Sequence, residues 1–168
     1  MNDAQVPFYF VQNHNHPSTK KLVQALSVDV LLNAGTPRKL SKEILESVPF
    51  GVVNVHPGLL PEYRGYSAVE WALFNDDKLG NTAHFMTEGY DEGPIIFREW
   101  YEFSKNTNYM DIRLKVYRNA VVLAVKALIN AKMKSGDGLI QDEKYAKFWK
   151  PMPADKFAEV VSKVNSHR

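Results

Sequence analysis

Three side chains set far apart in this chain have the types needed for one reaction at a carbonyl: Asn54, His56 and Asp91. Asn54 and His56 end the apolar run PFGVVNVH, residues 49–56, just before Pro57-Gly58 breaks it. Strand side chains alternate between faces, so residues two apart project together. Asp91 stands in TEGYDEGP, 87–94, where Gly89 and Gly93 let the backbone approach a ligand closely. An asparagine amide can donate to a developing oxyanion, a contact worth ~2.7–4 kcal/mol. A histidine can give or take a proton near neutral pH, and a carboxylate can orient that ring or take a proton through water. The set holds no Ser or Cys, so a covalent acyl intermediate is not implied. One histidine and one carboxylate do not complete a zinc site, and asparagine is a poor zinc ligand. The chemistry that fits is direct attack of an amine on an acyl carbon.

These groups need a scaffold, and the sequence describes one. Residues 6–11, VPFYFV, read as a short strand, and Ser18 then opens an amphipathic helix carrying Leu22, Val23 and Leu26. Residues 28–35 and 49–56 read as buried parallel strands. A short helix lies near 41–45, and another at 67–77 places Val69, Ala72 and Leu73 on one side. Strands follow at 81–88 and 94–103, too close for a crossover helix and therefore antiparallel. Residues 110–134 give the longest helix, with Ile112, Val116, Val121, Leu123, Leu128 and Ile129 as its buried stripe. A last helix lies near 154–164. Alternating strands and helices predict an α/β fold with a mostly parallel sheet and an antiparallel end. Ligands of such sheets bind beyond the carboxyl ends of the strands. Asn54, His56 and the turn Thr36-Pro37-Arg38 all fall there.

Length and composition set bounds. At 168 residues the chain reads as a single domain, 1–168, without cysteine and with a formal charge of only +2. It lacks an apolar stretch of the ~20 residues that a membrane span needs. The start, MNDAQVPF, has no basic-then-apolar leader. The cytoplasm is the expected compartment, with no membrane partner. The C-terminal lysines read as a solvated helical face rather than a nucleic-acid stripe. HNH at 14–16 reads as a polar loop, His84 as a structural residue within its strand, and the three tryptophans as packing. Arg64-Gly65 fits a simple turn and a functional loop equally well.

The motifs NVHPGLLPEYRG, WALFNDD, GNTAHF and DEGPII, in unbroken order over about 28–105, resemble the folate-dependent formyltransferase family. That family includes glycinamide ribonucleotide, sugar-amine and methionyl-tRNA formyltransferases. The resemblance implies a Rossmann-like formyltransferase core at about 28–105 with a C-terminal helical extension, 109–168. It implies 10-formyltetrahydrofolate as the formyl donor, no metal, and a catalytic trio of Asn54, His56 and Asp91. It further implies that Arg38, Leu40 and the backbone of Met86, Thr87, Glu88, Gly89 and Tyr90 border the folate pocket. The acceptor it favours is a small-molecule amine: an amino sugar, a sugar nucleotide or glycinamide ribonucleotide. With a charge of +2 and no segment matching the tRNA-holding barrel of the methionyl-tRNA members, tRNA is the weaker acceptor. Three other readings stay open: a 10-formyltetrahydrofolate hydrolase, a methionyl-tRNA formyltransferase-like protein, and a non-catalytic folate-binding remnant.

Two departures from the family pattern bear on structure. The chain reads as N-terminally shortened, without the βαβ unit with which members usually begin. Residues 6–11 then fill the missing first-strand position through a right-handed strand–helix–strand unit, or a second subunit covers the edge as a homo-oligomer. Gly58 stands where many members have serine.

Overall fold

The computed structural model describes residues 6–36, 38–104, 106–133 and 137–166. Helix α1, Pro17–Ala25, is capped by His16, whose Nδ1 accepts the Ser18 N–H at 3.3 Å, with Pro17 in the first helical position. The HNH segment is thus the polar turn that starts a helix. Its Asn15 also reaches across the chain, donating from Nδ2 to Lys39 O (2.8 Å) and accepting the Ser41 N–H (2.8 Å). The loop after the first strand is fixed by these two bonds.

Four strands form the main sheet in the order β1–β2–β4–β5: β1 Leu31–Asn33, β2 Val52–His56, β4 Leu79–Phe85 and β5 Ile95–Tyr101. Within this sheet β1 and β2 pair in parallel, whereas β2 with β4 and β4 with β5 run antiparallel. The α/β class holds, with a mixed sheet whose antiparallel part begins one strand earlier than the sequence suggests. The periodicity of 81–88 cannot reveal this, because alternation reports which face a strand buries and not the direction in which it pairs.

Residues 6–11 are a correction. They join no strand, and Phe8 and Phe10 are exposed at 79% and 91%. β1 is the outer strand of the sheet, so this segment does not fill a first-strand position. β-Branched and aromatic residues favour a strand only where a neighbour supplies hydrogen bonds and a face to pack on.

Helix α2, Lys42–Leu45, and α1 cover one side of β1 and β2, burying Val23, Leu40, Ile44, Val48 and Val52. The long helix α4, Tyr109–Met133, crosses the sheet over Val53, Ala83 and Phe85 with Leu123, Ala127 and Ala131. Its buried stripe keeps Ile112, Val116 and Leu123 but not Val121 or Ile129, which are exposed. Alanines take the inner face and let the helix lie close to the strands. Residues two positions from that stripe are turned about 200° away.

The third cluster joins α3, Ala68–Phe74, to α4 and to Tyr63, Leu79 and Trp149. Trp71 and Trp149 stack with centroids 4.7 Å apart, and Trp149 stacks on Tyr63 at 5.6 Å. Their indole N–H groups donate to Lys150 O and Glu62 O. These two tryptophans are packing residues, as expected. A second, two-stranded ribbon pairs β3, Arg64–Gly65, with β6, Phe148–Trp149, in parallel. The last helix, α5, Ala154–Asn165, packs on α3.

Candidate active site

Cross-strand register brings the first groups together. Asn33 on β1 pairs with Asn54 on β2, and Asn54 pairs with His84 on β4. Partners in register share a face, so three polar side chains form a row across the sheet near its carboxyl edge. Their hydrogen bonds have one consistent sense. The Thr36 N–H donates to Asn33 Oδ1 (2.9 Å), which fixes the Asn33 amide. Asn33 Nδ2 donates to Asn54 Oδ1 (3.0 Å), and Asn54 Nδ2 donates to His84 Nε2 (3.1 Å). His84 Nδ1 then donates to Phe85 O at 2.9 Å. The chain of donors assigns His84 the Nδ1–H tautomer. One amide hydrogen of Asn54 is used in this chain, and the second is available to a ligand.

Asp91 arrives from the β4–β5 loop with its backbone in the left-handed region, φ 54°. Its Oδ2 accepts the Gly65 N–H at 2.8 Å and lies 3.3 Å from His56 Nδ1; its Oδ1 lies 3.5 Å from His84 Nε2. Asn54, His56 and Asp91 therefore converge, and His84 joins them. Gly93 makes the approach possible, because a Cβ there would overlap the Phe85 carbonyl. Of the Arg64-Gly65 pair, Gly65 meets the Asp91 carboxylate and Arg64 points away to Gln141 and Glu143. Gly65 has φ 92°, and a side chain would meet the Trp149 carbonyl at 2.5 Å.

His56 does not face the ligand space directly. It is 5% exposed and sits behind Asp91, with Nε2–H donated to the Tyr63 carbonyl at 2.6 Å. Burial pushes the ring below its ordinary value of 6.5; the Asp91 charge pulls it up, His84 pushes it down, and the Tyr63 carbonyl raises it. With Nε2–H given to Tyr63, the other ring nitrogen, Nδ1, faces the Asp91 carboxylate. Burial works to raise Asp91, but the adjoining His84 and His56 rings and the Gly65 N–H outweigh it and hold the carboxyl below 3.8.

Gly58 is explained by the same ring. A Cβ at that position would lie 2.9 Å from His56 Nε2 and 2.8 Å from Ala68 Cβ. The absent serine leaves the room in which His56 bonds to Tyr63.

A cavity of about 220 Å³ opens over the row. Asn33, Asn54, His84 and Asp91 line it beside Thr36, Arg38, Lys39, Leu40, Gly65, Tyr66, Met86, Thr87, Gly89 and Tyr90. Of the folate-side residues expected from sequence, Arg38, Leu40, Met86, Thr87, Gly89 and Tyr90 reach the wall. Glu88 does not; its carbonyl accepts from Lys39 Nζ at 2.8 Å. Pro37, in the expected turn, lies outside the described residues. Sequence reasoning missed Asn33, Lys39, Tyr66 and the participation of His84. Strand register places Asn33 and His84 beside Asn54, Lys39 and Tyr66 come in on loops, and no local signal encodes either. Among the described residues no three His, Asp or Glu side chains are arranged to hold a metal ion, and no helix is long and apolar enough to cross a membrane.

Comparison with known proteins adds the family. A family model described as "Formyl transferase" matches residues 6–128. The chain is 32% identical over 123 residues to a methionyl-tRNA formyltransferase of Clostridium tetani, covering 73% of this chain and 37% of that protein. It is 33% identical over 128 residues to one from Borrelia duttonii, covering 76% and 41%. It thus spans about two fifths of the length of these curated relatives. Among solved structures, glycinamide ribonucleotide transformylase 1 from Symbiobacterium toebii matches with a TM-score of 0.62 at 29% identity, over 74% of this chain and 62% of that one. The formyltransferase PseJ from Anoxybacillus kamchatkensis, solved with UDP-4,6-dideoxy-4-formamido-L-AltNAc and tetrahydrofolate, matches in fold with a TM-score of 0.68 at 18% identity, over 84% and 79%. With a family model matched over most of its length and relatives about one-third identical, the chain belongs to the formyl transferase family.

Proposed function

We propose that this site transfers a formyl group from 10-formyltetrahydrofolate to the amine of a small molecule, an amino sugar, sugar nucleotide or glycinamide ribonucleotide. The observation that carries the reading is the convergence of Asn54, His84 and Asp91 on one cavity wall, with His56 behind the carboxylate. Leu40 and Met86 offer an apolar wall for a folate ring, and the backbone of 86–90 offers amide groups to its polar edge. The solved relative bound to tetrahydrofolate and a formamido sugar nucleotide supports both the donor and the acceptor class.

The acceptor nitrogen attacks the formyl carbon. A C–N bond forms, and the carbonyl oxygen becomes an oxyanion to which the free Asn54 N–H donates. The proton lost by the attacking nitrogen passes to Asp91 and His56, which hold it as an imidazolium–carboxylate pair. The bond from carbon to the folate nitrogen then breaks, and the same proton neutralises that nitrogen. Asp91 is the member of the pair that meets the substrate, and His56 is its proton reservoir.

Incubating the full chain with 10-formyltetrahydrofolate and a panel of amines, methionyl-tRNA included, tests this. The expected product is a formylated small amine, with tetrahydrofolate released in equal amount. Formate released without any amine supports the hydrolase reading instead. Folate binding without turnover supports a binding remnant.

A further inference from the structure

The family match ends at residue 128, yet a segment well beyond it bonds the backbone of the Asp91 loop. After α4 the chain returns along the sheet. Leu139 pairs with Ile95 at the start of β5 through two 2.8 Å backbone bonds, and β6 pairs with β3. Between them stands Gln141, 5% exposed, with its whole amide in use. Its Oε1 accepts from Arg64 Nε (3.0 Å) and Nη2 (2.9 Å). Its Nε2 donates to the carbonyls of Asp91 (2.8 Å) and Gly93 (2.7 Å). Arg64 is held in turn by Glu143, at 2.7 and 3.1 Å.

We infer that Gln141 is a positioning residue for formyl transfer, gripping the backbone of the Asp91 loop so that the carboxylate stays between His56, His84 and the cavity. The inference rests on the proposed function for its kinetic consequence and on geometry for the rest. Asp91 adopts a left-handed backbone that few non-glycine residues take, and such conformations persist only where the surroundings over-determine them. Here the carbonyl of that residue is fixed by Gln141 and its carboxylate by the Gly65 N–H. Gly65 is the neighbour of Arg64, which also bonds Gln141. One buried amide therefore couples both grips. A plain packing residue at this position would need no polar atoms, whereas every donor and acceptor of Gln141 meets a group on β3 or on the 91–93 loop.

The test compares the full chain with Q141M and Q141E. Methionine keeps the length and removes both donors. Glutamate also removes the donors but keeps the acceptor for Arg64, so it carries the test if Q141M does not fold. In each folded variant the expected kcat falls ~10- to ~100-fold, the scale of a misplaced catalytic group, while KM for the formyl donor changes less. The His56 ring resonances shift in NMR spectra, and those of His16, in the N-terminal turn, stay in place. An unchanged kcat, or unchanged His56 resonances, overturns the inference. A parent chain with no formyl transfer defeats only the proposed activity; the His56 resonances then decide the inference alone.

Discussion

At the scale of the residue, the proposed mechanism gives an amide and a proton pair separate duties. Replacing Asn54 by alanine removes the proposed oxyanion donor and leaves Asn33 and His84 without a link. The expected loss in kcat is ~10²–10³-fold, with tetrahydrofolate binding retained, measured by steady-state kinetics and calorimetry. The proton pair also leaves a mark on stability. His56 has a depressed pKa in the folded chain, so below its ordinary 6.5 the unfolded chain binds a proton that the folded one refuses. Stability then falls as pH drops through 6.5 toward the lower folded value. Asp91 is also depressed; its contribution is intact above 3.8 and is lost as pH falls through its lower folded value. Melting temperatures followed across this range should decline in the parent, and His56→Gln should flatten the upper part of the decline. The types of these residues were legible in the sequence because Asn54 and His56 share a strand face. The position of His56 behind Asp91 was not, since it depends on the Tyr63 carbonyl and on the space left by Gly58.

At the scale of the element, the site is as precise as the turns that end its strands. Gly93→Ala would drive a methyl into the Phe85 carbonyl, and the loop would have to move. The expected cost is about 1–3 kcal/mol in urea unfolding, together with loss of activity, because the loop cannot relax without carrying Asp91 along. Glycine at 93 signalled a close approach from sequence alone. Helices α4 and α5 were equally plain, because long periodic segments report themselves. The failures share a cause. Residues 6–11 have strand composition but no partner, and β2 with β4 has a direction that composition does not state. Both are settled by the pairing between elements.

Across the whole molecule, residues from 33 to 91 build the cavity, and the 139–149 segment braces it from outside. A folate bound there should raise the melting temperature, by about 2.7 kcal/mol of stability at a hundredfold excess over Kd. Leu40→Asp places a charge in the apolar wall and should abolish that shift, a result read directly by thermal denaturation with and without tetrahydrofolate. The motif order over 28–105 was enough to anticipate the family. The brace was invisible, because Gln141 is an ordinary residue in a polar stretch until the fold lays it against Arg64.

The row from Thr36 to Phe85 has a further consequence. Its sense is decided at one end, by a main-chain donor that cannot turn round. Exchanging a single –NH₂ for oxygen, Asn33→Asp, removes the hydrogen that Asn54 Oδ1 receives. The Asn54 amide must then flip, offering nitrogen to residue 33 and oxygen to His84, which can answer only with a hydrogen on Nε2. Nitrogen-15 shifts of the His84 ring should report that exchange of tautomer, and the reactive amide would meet its substrate back to front.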